Sequence, residues 1–207
     1  MNSLIEFLDT PRFLPVFLGL YLGVFYLLHS ALAGKNLLGT KQQNSRKLFN
    51  LIALVGFVPP LVLIALYKTP LWDEQITALK IPAIVLIPVG GMILFRSFQS
   101  FDGSAFLGMS PEQNKSGLQT GGMYQYSRHP MYFGTLLLFI GAFLWRQDLL
   151  MLIFSVISIA YLFIGSKNEE KKLVRQFPEE YPRYRSSTPA IIPSNLPGFF
   201  KMALFQK

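Results

Sequence analysis

The sequence predicts an all-α integral membrane protein with about five transmembrane helices. Of the 207 residues, 51% are apolar and only 14% are charged, the apolar residues form long runs, and the basic residues are concentrated in alternate loops. An average soluble domain carries nearer a quarter of charged residues. We therefore expect a chain that spans a bilayer rather than a cytosolic globular domain.

Each predicted span is an apolar run that approaches the roughly 20 residues needed to cross the hydrocarbon layer of a bilayer. The five runs are Phe13–Ala33, Leu48–Tyr67, Ile81–Phe95, Met131–Trp145 and Leu149–Gly165. The third and fourth runs have 15 residues each, so they cross fully only if their helices extend into the flanking polar turns.

The Lys and Arg residues predict the orientation, because cytoplasmic loops carry most of the basic residues. With the N-terminus outside, the outer segments hold four of the 19 basic residues and sum to −1, whereas the inner segments sum to +9. The C-terminus then lies in the cytoplasm. The formal charge of +8 reflects topology and contact with anionic lipid, so nucleic acid is not expected as a partner. The absence of Cys and the basic inner loops fit a bacterial inner membrane.

Two polar segments, residues 96–128 and 166–207, face the inner side and are too short to fold alone. The first is rich in glycine and can bring its backbone close to a ligand. The second should continue the fifth span as a helix until Pro178. Four further prolines then predict an extended wrap, at positions 182, 189, 193 and 197.

We divide the chain into an N-terminal three-helix transmembrane region, residues 1–95, and a catalytic region, residues 96–207. The catalytic region comprises the cytoplasmic loop, the helical hairpin 131–165 and the C-terminal tail. Only residues 146–148 separate the two helices of this hairpin. The loop before it and the tail after it must therefore emerge side by side, which places Tyr124–Tyr132 beside Glu169 and Glu170.

The first cluster reads GGMYQYSRHPMYFG, from Gly121 to Gly134. Ser127 or His129 can cap the fourth span while Pro130 occupies its first turn. Free N–H groups and the positive end of the helix dipole favour an anionic group there. The cluster is interpreted either as a capped helix with interfacial anchors or as a ligand pocket at the membrane surface.

The second cluster is Glu169-Glu170, just past the fifth span. One interpretation is a solvated helix face with a Glu–Lys pair. The other depends on the neighbouring tyrosines, because carboxylates beside aromatic rings can hold a cationic ligand.

In combination the two clusters resemble the membrane methyltransferase superfamily that includes isoprenylcysteine carboxyl methyltransferase and the phospholipid N-methyltransferases. The resembling parts are GGMYQYSRHPMYFG, EEKKLVRQFPEEYPRY from Glu169 to Tyr184, with its Tyr-x-x-Tyr close, and Ile192-Pro193. The segments LLHSALAGKN, FDGSAFLG and AYLFIGSKNEEKKL are similar to the methanethiol S-methyltransferases of that superfamily.

The resemblance implies S-adenosylmethionine as the methyl donor, in a cytoplasmic-side pocket built from residues 96–128 and the C-terminal tail. The residues that it implies for donor binding are Ser116, Gly117, Leu118, Gln119, Tyr124, His129, Pro130, Met131, Tyr132 and Glu169. The residues considered for catalysis are His129 and Glu170, as candidate bases, and Arg128, which together with Lys167 is a candidate substitute for a carboxylate clamp. No metal ion is expected.

The sequence is compatible with several classes of methyl acceptor. Prenylcysteine enzymes of this superfamily carry an arginine four residues before the position of Glu169, and this chain has Gly165 there. A carboxylate acceptor is thereby disfavoured, because the bidentate clamp is missing. A small thiol such as methanethiol is the leading hypothesis. The alternatives are a lipid amine or a prenylcysteine carboxylate and, from another class, a non-enzymatic membrane scaffold or carrier.

Overall fold

A computed structural model of the chain describes residues 13–36, 55–56, 58–100 and 117–205. Its helices are α1 (Phe13–Asn36), α2 (Thr77–Ser100), α3 (Pro130–Arg146), α4 (Leu149–Gln176), α5 (Glu180–Ser187) and α6 (Leu196–Phe205). Residues 58–66 are also helical, and Gly122–Gln125 forms a 3₁₀ turn. The described residues contain no β-strand, so the all-α prediction is confirmed for them.

Two of the described helices are long and apolar enough to cross a membrane, judged by length and composition. They are Thr77–Ser97 and Leu149–Gln176, and the shorter apolar stretches are Phe13–His29, Pro130–Arg146 and Leu196–Phe205. The helix that contains the predicted third span is longer than the 15-residue apolar run, because α2 has 24 residues. The first part of the predicted second span, residues 48–54, lies outside the described residues, so the count of five stays a prediction.

α4 ends at Gln176, two residues before the predicted break at Pro178. The expected extended wrap is wrong for residues 180–187 and 196–205, which form two more helices, whereas residues 188–195 are not helical. Pro182 is the third residue of α5 and Pro197 is the second residue of α6. The N–H groups of a first helical turn have no partner within the helix, so a proline costs little there.

Close contacts divide the chain into two units, one running to Ala83 and including Ala142–Phe163, the other comprising Ile84–Gly141 and the chain from Ile164 onward. In the first unit, α1 is tied to α4 by polar side chains. Tyr26 hydrogen-bonds with Ser158 at 2.7 Å, and His29 Nδ1 with the Tyr161 hydroxyl. His29 thus bonds a neighbouring helix.

The tight connection between α3 and α4 is confirmed, and residues 146–148 lie in the first unit. Asp148 caps α4 by accepting from the Met151 N–H at 2.7 Å, and it pairs with Arg146 at 2.6 Å. Gln147 adopts a left-handed φ of 54°, which is uncommon for a residue other than glycine. Its side-chain amide bonds both the N–H and the carbonyl of Ile76, at 2.8 and 2.9 Å.

The second unit has a hydrophobic core that brings α6 against α2 and α3. The buried members of this core are Ile93, Met123, Phe133, Ile191, Phe199 and Ala203. The Phe133 and Phe199 rings meet edge to face, with centroids 5.6 Å apart. This core supports the chain that enters α3.

Candidate active site

The pocket segment, residues 124–130, connects the 3₁₀ turn to α3. The chain enters it through Gly122, whose φ of 64° lies in the left-handed region that favours glycine. Pro130 is the first residue of α3, and the Ser127 hydroxyl accepts from the His129 N–H at 3.3 Å. The predicted place of Pro130 in the first turn of the helix is confirmed. The Ser127 hydroxyl bonds a residue that precedes α3, so the predicted side-chain cap by Ser127 is not formed, and His129 occupies the position before the helix.

The tail segment, residues 180–194, lies alongside the pocket segment. The backbone N–H groups of Arg128 and His129 donate to the carbonyls of Pro189 and Ala190, at 2.9 and 2.8 Å. The Ser127 hydroxyl is within hydrogen-bond distance of the Ala190 and Ile191 carbonyls, at 3.0 and 2.9 Å. Residues far apart in sequence are thus held together by main-chain bonds.

These bonds change the expected chemistry of the helix start. The N–H groups of Tyr132 and Phe133 both donate to the His129 carbonyl, at 3.0 and 3.2 Å. With Arg128 and His129 donating to the tail segment, these four N–H groups are in use. The expectation that free N–H groups here hold an anion is therefore wrong for these donors.

Arg128 and Glu170 form a buried ion pair beneath the pocket. Arg128 Nε and Nη2 lie 2.9 and 2.5 Å from Glu170 Oε1, and the two side chains are 9% and 11% exposed. Arg128 Nη1 also donates to the carbonyls of Thr188 and Arg185. The Arg185 Nε lies 3.6 Å from Glu170 Oε2.

The charge state of Glu170 follows from this surrounding. Burial by itself would raise the pKa of its carboxyl group. The hydrogen bond and the charge of Arg128, with His129 and Arg185 nearby, hold the pKa of Glu170 below its ordinary value. Glu170 is therefore an ionised carboxylate that is already neutralised by cations.

The His129 ring lies between the two glutamates. Its Nδ1 is 3.4 Å from Glu169 Oε2, and its Nε2 is 3.4 Å from Glu170 Oε1. The ring stacks on Tyr132, with centroids 5.1 Å apart and planes 7° apart. The Tyr132 hydroxyl donates to the same Glu169 oxygen at 3.2 Å. The expected adjacency of the two motifs is confirmed by these contacts.

A cleft opens over this cluster, with a volume of about 320 Å³ that includes its open mouth. Its lining residues are Tyr124, Arg128, His129, Pro130, Met131, Tyr132 and Glu169. The structure thus brings together six of the residues implied for donor binding. Ser116 lies outside the described residues, and Gly117, Leu118 and Gln119 are described but do not line the cleft.

The cleft offers a carboxylate and aromatic rings to a ligand. Arg128 faces it but is paired with Glu170, whereas Glu169 is 42% exposed. Burial and the charge of Glu169 raise the pKa of Tyr124, so its hydroxyl remains protonated. Such a surrounding suits a cation through charge and cation–π attraction. Within the described residues, no group of three or more His, Cys, Asp or Glu side chains could hold a metal ion.

The residues of the tail segment were missed by sequence reasoning. The Tyr184 hydroxyl donates to the Tyr124 carbonyl at 2.6 Å, and the Thr188 carbonyl accepts from Arg128. The Tyr-x-x-Tyr spacing of Tyr181 and Tyr184 was the available signal, but spacing alone does not tell which backbone group a hydroxyl reaches.

Comparison with known proteins agrees with the site. Residues 79–180, which include every residue lining the cleft, match the family model described as phospholipid methyltransferase. This stretch is a phospholipid methyltransferase-type region. The superfamily to which the motifs pointed is thereby confirmed, and with it the methyltransferase class of this region. The match and the apolar helices together indicate a membrane protein.

Curated proteins to which this chain is similar carry the name methanethiol S-methyltransferase. The chain is 35% identical to that of Crocosphaera subtropica over 78 residues, which are 36% of this chain and 29% of the relative. It is 36% identical to that of Pseudomonas deceptionensis over 74 residues, 35% of this chain and 27% of the relative. With methanethiol S-methyltransferase 1 of Bradyrhizobium diazoefficiens the identity is 25% over 136 residues, 60% of this chain and 46% of the relative.

These alignments cover less than half of the length of each of the three relatives. No solved structure matches the chain significantly.

Proposed function

We propose that this protein is an integral membrane methyltransferase that uses S-adenosylmethionine and methylates a small thiol such as methanethiol. One observation carries the proposal. The cleft of the phospholipid methyltransferase-type region presents an exposed carboxylate among stacked aromatic rings, with its arginine already neutralised. The names of the curated relatives favour the thiol.

The side chains of the cleft fit a cationic donor. Bound S-adenosylmethionine would supply a methyl group activated by a positively charged sulfur. Glu169 would hold the amino group or the ribose hydroxyls through the part of its carboxylate that faces the cleft. The rings of Tyr124 and Tyr132 would face the adenine or the positive charge, and Pro130 and Met131 would supply apolar contact.

The buried ion pair suggests different roles for the three residues considered for catalysis. Glu170 is a poor base, because Arg128, His129 and Arg185 hold the pKa of its carboxyl group below its ordinary value, so the carboxylate has little tendency to accept a proton. Arg128 and Glu170 are therefore proposed to position the His129 ring. His129 faces the cleft and is the proposed group that accepts the thiol proton, so that the acceptor is presented as a thiolate.

The charge distribution also bears on the acceptor. Arg128 and Arg185 both contact Glu170, and Gly165 has no side chain to offer. A carboxylate acceptor would therefore lack a guanidinium partner in the cleft. A lipid amine is the second hypothesis, since the family model that matches is named for phospholipids.

The proposal includes the predicted topology. The chain would cross the membrane five times, with its N-terminus outside and the cleft on the cytoplasmic side. Residues 96–207 would form the catalytic region, and bilayer lipid would surround the apolar helices. A bacterial inner membrane agrees with the basic inner loops, and a hydrophobic acceptor would reach the cleft from the bilayer.

The test is a substrate panel on the purified protein. Calorimetric titration with S-adenosylmethionine should show binding, and headspace analysis should detect dimethyl sulfide when methanethiol is added. Phosphatidylethanolamine and a prenylcysteine serve as competing acceptors. No donor binding would sink the enzyme proposal and favour a scaffold or carrier. Methylation of the lipid amine alone would replace the thiol.

Three substitutions test the donor site. His129→Ala, Tyr132→Ala and Glu169→Ala should each abolish measurable binding of S-adenosylmethionine. One Glu169 oxygen contacts both the His129 ring and the Tyr132 hydroxyl, so the loss of any one of the three side chains disturbs the other two. Circular dichroism should show that the variants stay folded. Glu179→Ala is the matched control, since Glu179 is 86% exposed and lies outside the cleft. Wild-type affinity in any of the three would remove that residue from the site.

A further inference from the structure

Hydrogen bonds from the tail segment hold the backbone of the pocket segment in place. One of them is made by the side chain of Tyr184. The Tyr184 hydroxyl donates to the Tyr124 carbonyl at 2.6 Å, across 60 positions of sequence. Tyr124 itself is 8% exposed, and its side chain lines the cleft. A hydroxyl of α5 therefore fixes the backbone that carries one wall of the cleft.

Further along, the two segments are paired bond by bond. Pro189 and Ala190 accept from the N–H groups of Arg128 and His129, and the Ser194 N–H donates to the Tyr126 carbonyl at 3.0 Å. The carbonyls of Arg185 and Thr188 accept from the Arg128 guanidinium. Each of these bonds joins the tail segment to a residue in the cleft or next to it.

Tyr184 is half-buried, and this burial keeps its hydroxyl protonated and able to donate. Burial, more than any neighbouring charge, raises the pKa of Tyr184, so its hydroxyl remains a donor at neutral pH. The Tyr184 side chain does not line the cleft, so it has no direct contact to offer a ligand there. Its effect on a ligand must pass through Tyr124.

We infer that Tyr184 is a positioning residue for the donor pocket: its hydrogen bond to the Tyr124 carbonyl places the Tyr124 side chain against the ligand. The inference rests on the proposed function, because the ligand is S-adenosylmethionine. It assigns a role to a residue beyond position 180, where the match to the family model ends.

A phenol-to-phenyl substitution isolates this hydrogen bond. Tyr184→Phe removes the hydroxyl and keeps the ring that meets Tyr181 at 6.1 Å. Tyr126→Phe is the matched control. Tyr126 does not line the cleft, its ring meets Phe199 edge to face, and its hydroxyl makes no hydrogen bond within the described residues.

The experiment measures the Kd for S-adenosylmethionine by calorimetry, the melting temperature of the ligand-free protein, and kcat at saturating donor. Tyr184→Phe should raise the Kd about three- to tenfold, the factor that corresponds to one hydrogen bond. Its kcat at saturation should stay within about twofold of the wild type, since no reacting atom is touched. Tyr126→Phe should match the wild type in all three measurements.

Several results would overturn the inference. A lower melting temperature with an unchanged Kd would make Tyr184 a structural residue only. An equal rise of Kd in both variants would show a general effect of losing a hydroxyl. A Tyr184→Phe protein that does not fold, beside a folded Tyr126→Phe protein, would also contradict a positioning role. If the wild type binds no S-adenosylmethionine, the proposed function itself has failed, and the wild-type titration reveals this separately.

Discussion

The role of Glu170 is determined by the residues that surround its carboxylate. Sequence reasoning left it open as a possible base or as part of a solvated helix face. In the structure the carboxylate is 11% exposed, with Arg128 at 2.5 Å and Arg185 at 3.6 Å. A buried charge is tolerated only when it is paired and hydrogen-bonded. Glu170 is therefore a structural anion that joins α4 to the pocket and tail segments.

The lowered pKa of Glu170 predicts an acid-sensitive contribution to stability. A carboxyl group whose folded pKa lies below its unfolded value of 4.5 stabilises the fold above that pH. The contribution is lost as the pH falls through the folded pKa. Melting curves between about pH 7 and pH 3 should show a smaller fall for Glu170→Gln than for the wild type.

At neutral pH the same Glu170→Gln variant should be less stable by about 1.5–3 kcal/mol, the typical value of a charge-assisted hydrogen bond. Glu179→Gln provides the control, since the Glu179 side chain is 86% exposed. Parallel melting curves for Glu170→Gln and the wild type across the acid range would contradict the buried pair.

At the scale of elements, α2 and α3 approach closely because glycines line their contact in the second unit. A Cβ atom on Gly90 would lie 2.7 Å from the Gly134 carbonyl oxygen and 2.8 Å from the Leu138 nitrogen. Membrane helices pack through van der Waals contact between small residues, because lipid tails are as apolar as the side chains and no hydrophobic effect drives the helices together. The apolar runs predicted the two helices but not which face of each would meet.

Two adjacent glycines of α2 give a matched pair of substitutions. Gly90→Ala should lower stability by about 1–3 kcal/mol, because the added methyl group meets backbone atoms that cannot move aside. Gly91→Ala should be neutral or slightly stabilising, because a Cβ atom there meets nothing within 4 Å and alanine favours a helix. Thermal melting in detergent compares them, and equal stability of the two variants would argue against the close contact.

The tail prolines show the limit of residue propensity at the same scale. Pro182 and Pro197 suggested extended chain, yet both lie in first turns of helices. α6 forms because Phe199 and Ala203 bury against a core that includes Ile93 and Phe133. A ten-residue helix is marginal on its own, so this one depends on tertiary packing.

At the scale of the whole molecule, the orientation of the chain in the membrane is predicted from the distribution of charged residues, and contacts within the protein do not report it. The chain has no cysteine, so single cysteines report topology without background. Asp73→Cys should react with a membrane-impermeant maleimide on intact cells, because residues 68–80 are expected outside. Ser186→Cys should react only after the cells are permeabilised. Labelling of Ser186→Cys on intact cells would reverse the proposed orientation.

The sequence by itself determined the class of the protein and the adjacency of its two motifs. Long apolar runs favour helices that cross a membrane, because a helix bonds all its backbone polar groups internally. A three-residue connection then forces two such helices to lie side by side. From these local and covalent constraints follow α1 to α4, the hairpin at residues 146–148, and the closeness of His129 to Glu169 and Glu170.

The tertiary structure alone decided what each polar group of the site does. Glu170 neutralises Arg128, and the tail segment accepts from the N–H groups of Arg128 and His129. The Tyr184 hydroxyl bonds the Tyr124 carbonyl. All of these contacts join residues some 40 to 60 positions apart in sequence. Partner choice at such separations depends on how helices pack and on which donors and acceptors burial leaves facing each other. Residue type and local spacing carry no record of that choice.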